Sequence, residues 1–161
     1  MSQLTKPIRI HKDAAYVTEI NFLHMNPDQQ QPVVDAVRQA AEPLKQQSGF
    51  VSVSVFRSTD GTRVATYIQW QTADLLQQAR EKLPASLLEA ARSRIEPESG
   101  KPRLYDVVYA NDRSAEGVTT ISTENTDTIF INEITTQPPT QARLLELVIA
   151  NNEEQSFRTP G

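Results

Sequence analysis

The chain predicts an α+β domain of the split β-α-β, ferredoxin-like kind. Three observations carry this: a near-ideal hairpin from Gly49 to Trp70, a helix-period apolar stripe on each side of it, and a strand-like run before the first stripe and after the second. The resulting order, β-α-β-β-α-β, places four antiparallel strands in one sheet with both helices on one face. The other face is then left uncovered. A bulky apolar face of that kind exceeds what a soluble monomer usually exposes. Packing two such sheets together, from two chains or from two repeats in one chain, would close a dimeric α+β barrel.

Each element has its own warrant. Tyr16 to Leu23 is rich in β-branched and aromatic types and reads as the first strand, broken by Asn26-Pro27-Asp28. From Pro32, the residues Val33, Val34, Val37, Ala40, Ala41 and Leu44 form one helical stripe, and Pro43 is expected to kink or end it. Phe50 to Ser58 alternates, with Val51, Val53 and Val55 expected on one face and Phe50, Ser52, Ser54 and Phe56 on the other. Asp60-Gly61 supplies the tight turn. Arg63 to Trp70 then sets Val64, Thr66, Ile68 and Trp70 against Arg63, Ala65, Tyr67 and Gln69. Thr72 is the expected N-cap of a second helix carrying Leu75, Leu76, Ala79 and Leu83. Pro84 interrupts it, and Leu87, Leu88, Ala91 and Ile95 continue on a short helix or a bent continuation. Arg103 to Ala110 is expected as the fourth strand.

Composition narrows the chemistry. With 161 residues the chain can bury a core without help, and with no cysteine it has no thiol nucleophile, disulfide or zinc-thiolate site. The first residues lack the apolar core of a signal peptide, and no apolar run approaches membrane-spanning length, so a soluble, cytoplasmic protein is expected, with no membrane partner. A net charge of −4 with dispersed Lys and Arg argues against nucleic acid as a partner. No Ser-His-Asp arrangement, glycine-rich phosphate loop or metal-ligand spacing is recognisable, which removes hydrolase, kinase and metalloenzyme readings. No metal and no cofactor is expected.

Four segments follow. Residues 1–14 form a loose arm or edge strand, and 15–111 the barrel domain. The polar stretch 112–127 is a linker or edge strand. In 128–161, a strand from Thr128 to Ile134, then Pro138-Pro139, then a helix with Leu144, Leu145, Val148 and Ile149 repeats the opening order of the domain as a partial second repeat.

The run from Tyr16 to Ala110 resembles the antibiotic biosynthesis monooxygenase family of dimeric α+β barrels. The likeness is sharpest in Gly49-Phe50, in Ser58-Thr-Asp-Gly-Thr-Arg-Val64 and in Tyr67-Ile-Gln-Trp70. It implies a small intracellular homodimer. Members include cofactor-free oxygenases of polycyclic aromatic intermediates, haem-degrading enzymes and proteins of unknown activity, so fold membership alone leaves the chemistry open.

The candidate residues follow from that comparison. In quinone-forming relatives a tryptophan at the place of Trp70 lines the substrate cavity, with an asparagine four residues earlier on the same face. Here that position is Thr66, which can donate to a carbonyl or phenolate but lacks the amide's paired groups. The haem-degrading branch uses an asparagine in the first strand, a place Asn21 fills, together with a tryptophan and a histidine in the second helical region. Thr72 to Ile95 has neither, so haem is not expected. His24, at the end of the first strand, would serve as a base near neutral pH if it faced the pocket mouth. Tyr67, Tyr105 and Tyr109 read as interface packing, and Arg92 and Arg94 as a solvated helix face.

Two functions remain. One is a cofactor-free monooxygenase holding a small aromatic, quinol-type substrate in an apolar cavity between sheet and helices, lined by Trp70, Thr66, Asn21 and His24. The other is a non-catalytic barrel that binds a small ligand or serves assembly. The two differ in whether a proton acceptor converges on the space beside Trp70.

Overall fold

The computed structural model describes residues 7–11, 14–83, 89, 91–110, 118–124 and 128–156, with side chains of the last helix described to residue 151. The strands are β1 (Ile8–Ile10), β2 (Val17–His24), β3 (Phe50–Arg57), β4 (Arg63–Trp70), β5 (Arg103–Tyr105) and β6 (Thr119–Ile121), and the helices are α1 (Gln30–Ala41), α2 (Ala73–Lys82) and α3 (Pro138–Ser156). No helix among the described residues is long and apolar enough to cross a membrane.

The main sheet has the order β3-β4-β2-β5, and every neighbouring pair is antiparallel. The two strands that follow helices lie at its edges, which is the ferredoxin-like arrangement expected from the element order. Helices α1 and α2 cover one face. Val33, Val37 and Ala41 of α1 and Leu76 and Ala79 of α2 pack with Leu23, Val64, Ile68 and Trp70, and Ala91 and Ile95 complete the core. Burying each such side chain contributes roughly 1.5–3 kcal/mol for the larger ones, so this face supplies most of the hydrophobic stabilisation. The helix boundaries follow local chemistry. Thr72 caps α2 by accepting from the Leu75 backbone N–H at 3.2 Å. Pro43 sits in the 3-10 turn Glu42–Gln46 that ends α1, as its missing N–H requires. Gly49 has φ 80°, and a Cβ there would lie 2.5 Å from Leu75 Cδ1, so glycine lets the start of β3 and α2 approach.

Four expectations change. Phe50 was expected opposite the valines of its strand. The register instead steps from Phe50–Trp70 to Ser52–Gln69, so Val51 is an inserted bulge residue, and Phe50 joins Val53 and Val55 against the core. The fourth strand, expected over 103–110, pairs only as far as Tyr105. Its partner β2 begins at Val17, one residue beyond the Thr18–Tyr105 pair, so the chain after Tyr105 has no ladder to continue. The strand expected from Thr128 to Ile134 is not formed, and residues 128–137 carry no ladder. Finally, the second sheet face is not bare. β1 pairs with β6, and Gln69 Nε2 donates to the Arg9 carbonyl at 3.2 Å, which seats this two-stranded ribbon over one end of that face. Ile8, Thr18 and Gln69 are buried as a result, whereas Ile20, Phe22, Phe56 and Tyr67 stay half-buried. The helical continuation expected at Leu87 and Leu88 lies outside the described residues.

The chain from Glu124 onward forms a second compact unit. Its helix α3 begins at Pro138-Pro139, where prolines suit a first turn, and the preceding segment exposes Ile129, Phe130, Ile131 and Ile134.

Candidate functional site

The antiparallel register of β2 and β4 decides which side chains meet. It sets Val17 opposite Trp70, Glu19 opposite Ile68, Asn21 opposite Thr66 and Leu23 opposite Val64. Directly opposed residues share a face, and Leu23, Val64, Ile68 and Trp70 lie in the helix-covered core. Asn21, Thr66 and Trp70 therefore project together into the space between the sheet and the helices.

All three are almost fully buried, at 2 %, 1 % and 1 % exposure. All three also carry an unpartnered polar atom: Asn21 Oδ1, Thr66 Oγ1 and Trp70 Nε1. A buried group without a hydrogen bond costs about 1–3 kcal/mol, so the trio costs at least about 3 kcal/mol in a fold whose whole stability is roughly 5–15 kcal/mol. Apolar residues of the same shape would remove that cost. The indole is held in place by Phe50, whose ring meets it edge-on at 5.7 Å and 83°. Together the three atoms offer an N–H donor, a hydroxyl that donates or accepts, and a carbonyl acceptor. That set matches a phenolic hydroxyl or ring carbonyl on an apolar body.

His24 is not part of this group. It shares the opposite face with Phe22 and Ile20, its side chain is about half exposed, and its Nδ1 lies 3.9 Å from Glu96 Oε2. Arg94 lines an open groove with Pro32, Asp35 and Gln39 that shares no residue with the trio, and Arg92 is exposed. Tyr67 projects to the ribbon side, where its hydroxyl lies 3.5 Å from Thr18 Oγ1. Among the described residues no three His, Asp or Glu side chains are grouped to hold a metal ion.

One charged side chain of this face escaped the sequence reading. Glu19 lies between Val17 and Asn21 on β2, its side chain is 10 % exposed, and its Oε2 accepts from Arg80 Nη2 on α2. The signal was available. A glutamate at an inward position of an apolar strand needs a cation, and Arg80 stands one turn after the inward-facing Leu76.

A model of the antibiotic biosynthesis monooxygenase family matches residues 16–98. None of the curated proteins matches the chain. Among solved structures, the chain is similar to a Streptomyces coelicolor monooxygenase from the gene ActVA-Orf6, solved in complex with nanaomycin D. They share 26 % identity at a TM-score of 0.53, over 63 % of this chain and 94 % of that one. A candidate antibiotic biosynthesis monooxygenase from Nitrosomonas europaea aligns at 17 % identity and a TM-score of 0.52, over 62 % of this chain and 97 % of that one. The matched segment takes in α1, α2 and the strand pair that carries Asn21, Thr66 and Trp70, and it spans more than half of the sequence, so the chain belongs to the antibiotic biosynthesis monooxygenase family.

Proposed function

We propose that the protein is a cofactor-free monooxygenase acting on a fused-ring phenol or hydroquinone, held between the sheet and the helices α1 and α2. The observation that carries this reading is that three buried, unpartnered polar atoms lie on one face of β2 and β4. The Streptomyces coelicolor relative, a monooxygenase solved with nanaomycin D, supports the ligand class.

In such a reaction one ring CH2, the keto form of a phenol's C–H carbon, and one O2 become a ring carbonyl and one water. Loss of a proton leaves a delocalised carbanion whose electron pair reduces O2. A carbon–oxygen bond forms, and the proton returns to the distal oxygen as a hydroperoxide. Loss of the second C–H proton, with cleavage of the O–O bond, then releases water. The protein's part is to hold the ring, exclude water and stabilise the negative charge on the substrate oxygen. Trp70 Nε1–H and Thr66 Oγ1–H are the donors for that charge, and Asn21 Oδ1 accepts from a remaining hydroxyl. A site in low dielectric makes each such bond worth more than in water.

We assign the working state as a cytoplasmic homodimer. The half-buried Ile20, Phe22, Phe56 and Tyr67 support a second copy covering the rest of the ribbon-side face. Thr66, standing where the resemblance implies an asparagine, favours a second reading in which the barrel binds a ligand of this class without turning it over. Oxygen uptake by the full-length protein, without added flavin or metal, separates the two. With anthrone- and naphthohydroquinone-type substrates, the oxygenase consumes O2 and Trp70→Phe loses that consumption while still folding. A pure binding protein shows saturable binding and no uptake.

A further inference from the structure

The site holds an ionisable group that the hydrogen-bonding trio does not account for. Glu19 occupies the middle of the patch. Val17 and Asn21 flank it along β2, and its cross-strand partner Ile68 lies between Thr66 and Trp70. Val17, Asn21, Thr66 and Trp70 thus mark four corners with Glu19 and Ile68 between them. Neighbours two apart on a strand are about 7 Å distant, so along the backbone Glu19 is a next neighbour of Asn21 on its own strand and a diagonal neighbour of Thr66 and Trp70 across the pair.

Burying a carboxylate is costly unless it is paired, and Arg80 is the charged group the structure sets against it. From the other elements packed there, β4 presents Ile68 and β5 presents Leu104, neither of which titrates. Arg80 is itself 42 % exposed, so its own desolvation is partial. It engages Oε2, and the second oxygen, Oε1, has lone pairs for another donor. A carboxylate at this position is a group of the kind that takes up a proton in general base catalysis.

We infer that Glu19 is the proton acceptor of the oxygenation, and that Arg80 is the positioning residue that holds its carboxylate in place. This rests on the oxygenase reading above. The step moves one proton from the substrate's hydroxyl or ring methylene to a Glu19 oxygen and leaves the electron pair on the substrate. The proton is returned when the hydroperoxide forms.

A salt bridge that merely ties α2 to the sheet would behave differently, and a pH profile separates the two. The experiment follows kcat/KM for oxygen uptake on a naphthohydroquinone from pH 5 to 10, for wild type, Glu19→Gln and Arg80→Met, beside the melting temperature of each. The wild type shows an acid limb. Glu19→Gln lowers kcat/KM by about 10²–10⁴-fold near neutral pH and recovers most of it toward pH 10, where the phenol ionises unaided. If Glu19→Gln melts below the assay temperature, Arg80→Met carries the test. A carboxylate no longer held by its guanidinium is misplaced for the proton, so kcat falls at least about tenfold while KM for the hydroquinone is kept.

A Glu19→Gln enzyme with the wild-type acid limb, or a loss that is equal at every pH and follows the melting temperature, overturns the assignment. So does an Arg80→Met enzyme that keeps the wild-type kcat. In those cases the wild type still consumes oxygen, and the oxygenase reading stands. No uptake by the wild type at any pH overturns both.

Discussion

The two faces of the sheet are built by alternate residues of the same strands, yet they treat buried uncharged polar side chains in opposite ways. On the ribbon side, Gln69 accepts from Ser52 Oγ at 2.8 Å and donates to the Arg9 carbonyl, and Thr18 meets Tyr67. On the helix side, Asn21, Thr66 and Trp70 are buried as deeply, with a polar atom of each left unpartnered. The sheet has the means to satisfy such groups, and the unpaired trio is the feature on which the proposed ligand site rests. Local rules are broken where a ligand would complete them.

The largest test of this contrast lies at Trp70, which anchors the helix-side core. Trp70→Ala removes a fully buried indole and costs about 3–5 kcal/mol in denaturant unfolding. A change below about 1 kcal/mol would show that the indole does not carry the packing. Next, Gln69→Leu strands Ser52 Oγ and the Arg9 carbonyl on the ribbon side and costs about 1–3 kcal/mol by the same measurement. Thr66→Val makes a like exchange on the other face, where no bond is lost. There the stability is unchanged or rises by up to about 1 kcal/mol, while oxygen uptake falls about 10–100-fold. If the two substitutions destabilise equally, the contrast between the faces is broken.

The smallest effect concerns the hairpin turn that fixes which residues share a face. Asp60 accepts from Ser58 Oγ and from the backbone and hydroxyl of Thr62, and these bonds lower its pKa from 3.8 to about 2. A carboxylate depressed in the folded state contributes stability above its unfolded value, and that stability is lost as pH falls from about 3.8 through about 2. Asp60→Asn therefore flattens the stability profile across that window and leaves it unchanged in slope above pH 5. An unaltered acid slope would remove Asp60 from the account of the turn.

Much of the fold was legible because period-two and period-3.6 patterns report faces directly. Val64, Thr66, Ile68 and Trp70 alternate without interruption, and the register kept them together. Phe50 was misplaced because one inserted residue, Val51, reverses the parity of everything before it, and a bulge leaves no mark in the alternation. The ribbon was missed in its position for another reason. Ile8 and Ile121 are 113 positions apart, and three-residue strands are too short to show a period. Strand parity put Thr66 and Trp70 on one face, and the resemblance singled out Asn21, which the register sets opposite Thr66. Glu19 was overlooked because its significance lies in a partner, Arg80, that only the packing of α2 brings to it. His24 illustrates the converse: a reactive side chain whose parity points it to the other face.

The central claim is that the unpartnered trio is a ligand site, and Trp70, the single tryptophan of the chain, reports on it directly. The measurement is an anaerobic titration of the full-length protein with a fused-ring hydroxyquinone, followed by tryptophan fluorescence, for the wild type and for Thr66→Val with Asn21→Leu. The account predicts saturable quenching at one ligand per chain in the wild type, weakened at least tenfold in the double variant. Quenching that is absent, or equally strong in both proteins, would contradict it.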